Sequence, residues 1–185
     1  SLEVTKIYSV AGLLTSGQSL LTQRPFRAPH HGASSAAVIG VGTHPRPGEV
    51  SLASHGVLFM DEMPEFHRDV LEALRQPLED REVTIARVSG RVSYPASFQL
   101  VAAFNPCPCG YRGDPVKECT CTMYAVKRYL NKLSGPLWDR IDIHIEVPRV
   151  QYGEISSQQT GESSAVIRQR VIKERKIQQQ RFIGT

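Results

Sequence analysis

The chain has 185 residues, 41% of them hydrophobic and 22% charged, with a net charge of +4. That length suits one domain with its own core, no apolar run is long enough to cross a bilayer, and no signal peptide is visible. The small positive excess permits contact with nucleic acid without demanding it.

Ala28 to Gly48 is rich in Gly, Pro and His and reads as a long irregular loop or a short insert. Its adjacent His30 and His31 cannot share one face of a strand. They read as loop or partner contacts rather than metal ligands. Next comes Gly56-Val57-Leu58-Phe59-Met60-Asp61-Glu62, an apolar run that meets two adjacent carboxylates. A continuous apolar run suits a strand buried on both faces of a parallel sheet. Carboxylates at the C-terminal end of such a strand lie where open α/β sheets bind ligands. One can hold Mg²⁺ and the other can orient a water against a phosphate, which is the pattern of a Walker B strand. The plainer reading is a buried strand ending in a solvated acidic turn.

Phe66 to Leu78 follows, with Val70, Leu71, Leu74 and Leu78 at helical spacing, and predicts one helix. Val83 to Val88, then Ser89-Gly90, then Arg91 to Tyr94 predicts a β-hairpin. Arg87 and Arg91 flank its tip and are candidate contacts to nucleic-acid phosphates; a plain surface hairpin is the alternative. Ser97 to Pro106 is a second apolar run that ends in Asn105, either a strand stopped by an Asn-Pro turn or a strand whose terminal amide meets a phosphate.

The four cysteines are Cys107, Cys109, Cys119 and Cys121. Two Cys-x-Cys pairs on a short loop can converge on one tetrahedral ion, and zinc is the ion that prefers such thiolates. Free thiols and disulfides are the alternatives, and a reducing compartment weighs against disulfides. Four thiolates leave no open position, so the expected role is structural. In Ser134 to Ile143, Arg140 stands between Asp139 and Asp142; alone, that pattern reads as a surface ion pair. Tyr152 to Ser164 is polar and reads as a linker. Glu162 to Phe182 reads as a helix whose Arg168, Arg170, Lys173, Arg175, Lys176 and Arg181, opposed by Glu174, form a solvated face.

Taken in order, the acidic strand end, the Asn-tipped strand and the Asp139-Arg140-Ile141-Asp142 box resemble the Walker B, sensor 1 and arginine-finger motifs of magnesium-chelatase-like AAA+ ATPases. More narrowly, Arg24 to His31, Pro45 to Ala53 and Asn105 to Gly110 are similar to the ComM branch, the competence-associated helicase family. The likeness runs from near Leu2 to about Phe182. Trp138 departs from it, since the family usually has an aliphatic residue there; altered packing beside the finger is the expected result.

The resemblance implies an α/β fold, an AAA+ P-loop NTPase core with a parallel sheet flanked by helices. It implies residues 1–151 as a partial core and 152–185 as linker and start of a lid. It also implies ATP and Mg²⁺ as cofactors, a homo-oligomeric ring (a hexamer), DNA as partner and a cytoplasmic location. Asp61 would hold Mg²⁺, Glu62 would activate water, Asn105 would sense the γ-phosphate and Arg140 would reach the neighbouring subunit's nucleotide. The hairpin would be the insert that related hexameric helicases point into their channel. No Lys follows a Gly in this chain, so it holds no Walker A loop. In the family that loop precedes a segment like Leu2 to Leu14. Residue 1 is therefore expected to fall after the P-loop of a longer protein, and the chain by itself is expected neither to bind ATP well nor to hydrolyse it. A zinc-stabilised assembly module without ATP chemistry, and a motor for metal insertion into a porphyrin, are the competing functions.

Overall fold

The computed structural model describes residues 1–15, 17, 19–40, 46–87, 90–150 and 161–182, with Ala86 and Arg87 described in the backbone alone. Two compact units divide the chain, Ser1–Glu146 and Val147–Thr185.

The first unit is built on a three-stranded parallel sheet of β1 (Phe26–Arg27), β2 (Val57–Met60) and β5 (Gln99–Ala102), with β2 in the centre. Phe26 pairs with Val57 on one side, and Val57 to Met60 pair with Gln99 to Ala102 on the other. Residues in register across parallel strands share a face. One face carries Leu58 and Met60, both fully buried, with Leu100 and Ala102 packed beside them. The opposite face carries Val57 and Phe59, which are only half-buried, beside exposed Phe26 and Val101. The apolar run therefore marks a strand covered on one face, not on both as its composition suggests. Phe26 and Phe59 stack on the open side, 6.1 Å between centroids.

Gly56 is the entry to β2, and only glycine fits. A Cβ there would lie 1.9 Å from the Pro25 carbonyl oxygen, the acceptor of the Val57 N–H that brings β1 against β2.

Helices cover the closed face. The segment 28–48, expected to be irregular, contains α2 (Ser35–Ile39). The Ser34 side chain caps it by accepting the Ala37 N–H, and Gly40 ends it in the left-handed conformation (φ 101°). Val38 and Ile39 then join Val50 of α3 (Glu49–Leu52) in the core. The expected helix from Phe66 to Leu78 is instead a 3₁₀ turn (Met63–Glu65), then α4 (Arg68–Ala73) and α5 (Arg75–Asp80), which meet at Leu74. Pro77 accounts for the break. It lacks an N–H for the Ala73 carbonyl and is tolerated only in the first turn of a new helix. The apolar spacing survives, and Val70, Leu71 and Leu74 are fully buried.

β3 (Glu82–Arg87) and β4 (Gly90–Pro95) form the hairpin, a separate antiparallel pair. Val83 and Ile85 turn into the core, while Thr84 and Ser93 face each other across the ladder at 2.9 Å. Past β5 come α6 (Met123–Leu130) and α7 (Gly135–Trp138), which contribute Leu137 to the core, together with Leu133 between them. Trp138 packs edge-on to Phe104, 5.8 Å between centroids. α1 (Leu2–Val10) buries Val4 and Ile7. In the second unit, α8 (Ser164–Arg181) buries none of its residues and carries a bidentate Arg170–Glu162 pair at 2.8 and 2.9 Å. Of the segment expected to be a linker, 152–164, residues 152–160 lie outside the described residues.

Candidate functional site

The three parallel strands end at one edge of the sheet, and the chain leaves each of them in a different way. Past β2, Asp61 and Glu62 are both exposed. Asp61 Oδ1 accepts the Glu62 N–H at 2.9 Å, and Glu62 takes the left-handed conformation (φ 51°, ψ 42°). For a residue with a Cβ that conformation costs about 1 kcal/mol or more. It bends the chain from the strand into the 3₁₀ turn, where Met63 and Pro64 are buried as anchors. The Met63 N–H bonds to Ala103 O at 3.2 Å, so the turn is tied to the end of β5 as well.

Past β5, Asn105 is exposed. Tyr129 of α6, almost wholly buried, makes a hydrogen bond to the Asn105 backbone and feels the charges of Glu65 and Glu62. Burial, aided by Glu65, pushes its phenol above the ordinary value. Lys132 reaches back to Glu65 at 3.0 Å. Past β1, His31 Nδ1 lies 3.0 Å from Glu62 Oε2. The sequence reads His30 and His31 as loop or partner contacts. In fact their rings pack together with centroids 4.1 Å apart, and His31 faces a carboxylate. Tyr129 and Lys132 carried no motif, and His31 closes the family-like segment Arg24 to His31 with no role assigned; each is brought to this edge by the tertiary fold.

Arg140 follows α7 and is turned back onto its own chain. Nη1 donates to the Pro136 carbonyl at 2.6 Å, and Nη2 pairs with Glu79 of α5. Its buried Nε has no hydrogen-bond partner among the described residues. Arg140 holds the Glu79 carboxyl below its usual range. Arg91 is exposed on β4, opposite Ala86. Arg87 is described only in the backbone, paired with Gly90, and the hairpin tip at 88–89 lies outside the described residues.

The cysteines converge. All four sulfurs lie within 4.8 Å of one another, with Cys107 buried. Cys107 Sγ is 3.4 Å from Cys109 Sγ and 3.7 Å from Cys119 Sγ, and Cys109 Sγ is 3.6 Å from Cys119 Sγ. These are not disulfides, and all four are free cysteines. Thiolates at the zinc–sulfur distance on a tetrahedron stand about 3.8 Å apart, so the donor set fits zinc. The Tyr111 backbone N–H holds Cys109 down to about 6. Cys121 accepts a hydrogen bond from the Cys109 backbone but is still pushed up to about 12 by the neighbouring sulfurs of Cys109 and Cys107. The Cys109 thiolate thus forms readily, while Cys119 and Cys121 resist charging until a cation compensates them.

No helix among the described residues is long and apolar enough to span a membrane. Residues 1–155 match the family model described as magnesium chelatase, subunit ChlI. The chain is 53% identical over 161 residues to competence protein ComM of Haemophilus influenzae, covering 86% of the chain and 31% of that protein. It is 51% identical over 183 residues to an uncharacterized protein of Mycobacterium tuberculosis, covering 98% of the chain and 36% of that protein. It is 49% identical over 165 residues to YifB of Escherichia coli, an uncharacterized protein, covering 88% and 32%. The chain thus spans about a third of the length of these relatives. With the parallel sheet, its helices and the acidic strand end already in place, the match identifies the chain as a member of the magnesium-chelatase family, related to AAA+ proteins.

Proposed function

We propose that this chain is part of the ATP-hydrolysing core of a ring-forming motor, a hexamer, that moves along DNA during branch migration. The observation that carries the reading is the acidic turn Asp61-Glu62 at the C-terminal end of the central parallel strand, beside the Asn105 end of β5. Open α/β sheets bind ligands at that edge. Asp61 would hold Mg²⁺, and both carboxylates are exposed there. Bound Mg-ATP supplies the phosphoryl group that is cleaved. Glu62 takes the proton of the attacking water, the Asn105 amide contacts the γ-phosphate, and Arg140 contacts the nucleotide of the neighbouring subunit. The competence protein among the relatives supports a DNA role for the whole protein. Exposed Arg91, with Arg87 on the facing strand, suits phosphate contacts by the hairpin.

Cys107, Cys109, Cys119 and Cys121 would hold structural zinc and fix the loop between β5 and α6. That cluster is also what favours a second reading, a zinc-stabilised assembly module without ATP chemistry. The two readings separate on Glu62→Gln in the full-length protein. The amide keeps the shape but is no base, so ATP binding should persist while turnover falls by about 10²-fold or more. Unchanged turnover would remove Glu62 from the chemistry, and a wild-type full-length protein with no turnover at all would favour the second reading.

A further inference from the structure

We propose that His31 is the positioning residue for Glu62, holding its carboxylate by a hydrogen bond from Nδ1 so that one oxygen is kept for the water. The inference deepens the reading above and rests on Glu62 acting as the base.

The contact joins two strand ends. β1 and β2 are parallel neighbours, so the chain past Arg27 and the chain past Met60 emerge at the same edge. There His31 Nδ1 and Glu62 Oε2 lie 3.0 Å apart. A carboxylate only accepts, so Nδ1 must carry the hydrogen, and Oε1 is left to face the water. The ring itself is held. It meets Phe66 edge-on with centroids 6.4 Å apart, and it packs on His30. His30 is fixed in turn, because its Nδ1 accepts the Gly32 N–H at 3.0 Å. A Cβ at Gly32 would come within 3.2 Å of that nitrogen, so the turn leaves little room beside the ring.

Glu62 needs such a partner. Its side chain is 53% exposed and would otherwise sample several rotamers. A base that wanders by about 1 Å forfeits up to about 10²-fold in rate. The left-handed backbone at Glu62 aims the side chain, and His31 fixes its far end.

The test is steady-state ATP hydrolysis by the full-length protein. His31→Ala should lower kcat about tenfold to a hundredfold and leave KM for ATP near the wild-type value. His31→Asn, whose amide nitrogen stands close to Nδ1, should recover most of kcat. His31→Gln, with its donor displaced by a methylene, should not. Adding His31→Ala to Glu62→Gln should cost nothing further, since the two residues act as a unit. A wild-type kcat in His31→Ala beside an inactive Glu62→Gln would overturn the inference. Equal kcat for the Asn and Gln variants would do the same, even where the Ala variant fails to fold. Full turnover by Glu62→Gln alone would overturn the underlying base reading instead, whatever the His31 variants do.

Discussion

The sheet edge and the segment after β5 differ in what holds them. Asp61 and Glu62 sit one and two residues past β2, whose main-chain ladder fixes them. Residues 103–122 contain no helix or strand. Their order comes from the thiol cluster, from Asp114 accepting the Val116 and Lys117 N–H groups, and from Lys117 lying 3.9 Å over the Tyr111 ring. Arg140 is likewise placed by side-chain contacts, to Pro136 and Glu79. The ladder gives the carboxylates a position that survives loss of any one side chain. The later segment depends on a few contacts, each of which can be released.

The largest expected effect tests whether a residue from the releasable region takes part in the chemistry of the rigid one. If Arg140 acts across a subunit boundary, Arg140→Ala should cut ring activity by about 10³-fold or more and leave nucleotide affinity of the single subunit nearly intact. Mixing it with a variant disabled in phosphate binding should restore some activity, because some interfaces then carry both intact parts. Mixtures that stay inactive at every ratio would confine Arg140 to its own subunit.

The next effect sharpens the contrast in stability. Protein purified without added metal should contain about one zinc per chain. Cys107→Ser or Cys121→Ser should release it, and amide exchange should then accelerate across 103–122 while β2 and β5 stay protected. Zinc should also leave more readily as pH falls, because its thiolate ligands must be deprotonated to hold it. Full thiol titration of metal-free native protein, with the loop still protected, would show that other contacts order it.

The same contrast explains what was legible before the fold was known. The apolar run into Asp61-Glu62 is a local pattern, so strand and acidic tip could be read together. Its burial could not, because the open face depends on what packs against Val57 and Phe59. β1 is too short to show any alternation, and without β1 nothing connects His31 to Glu62. Pro77 carries a local signal for the break at Leu74, one that the helical spacing of Val70, Leu71 and Leu74 masks. The cysteine spacing pointed to a cluster, but convergence on one point is a property of the folded loop. Glu79 and Arg140 are separated by 61 positions, and no local signal pairs them.

The smallest effect concerns that pair. Glu79 is largely exposed, so water screens it and Glu79→Gln should leave stability almost unchanged at neutral pH. The sign of its pH dependence is set by Arg140, which lowers the Glu79 carboxyl from 4.5. A lowered carboxyl stabilises the fold above its unfolded value, and that contribution is lost as pH falls through the folded one. The melting midpoints of wild type and Glu79→Gln should therefore differ slightly at neutral pH and converge in acid. Activity gives the sharper readout. If Arg140 acts across a subunit boundary, it has to leave Glu79 before it can reach a neighbouring nucleotide, and Glu79→Gln weakens that hold. Ring turnover should then equal or modestly exceed wild type, whereas a fall would mean that Glu79 aims the finger.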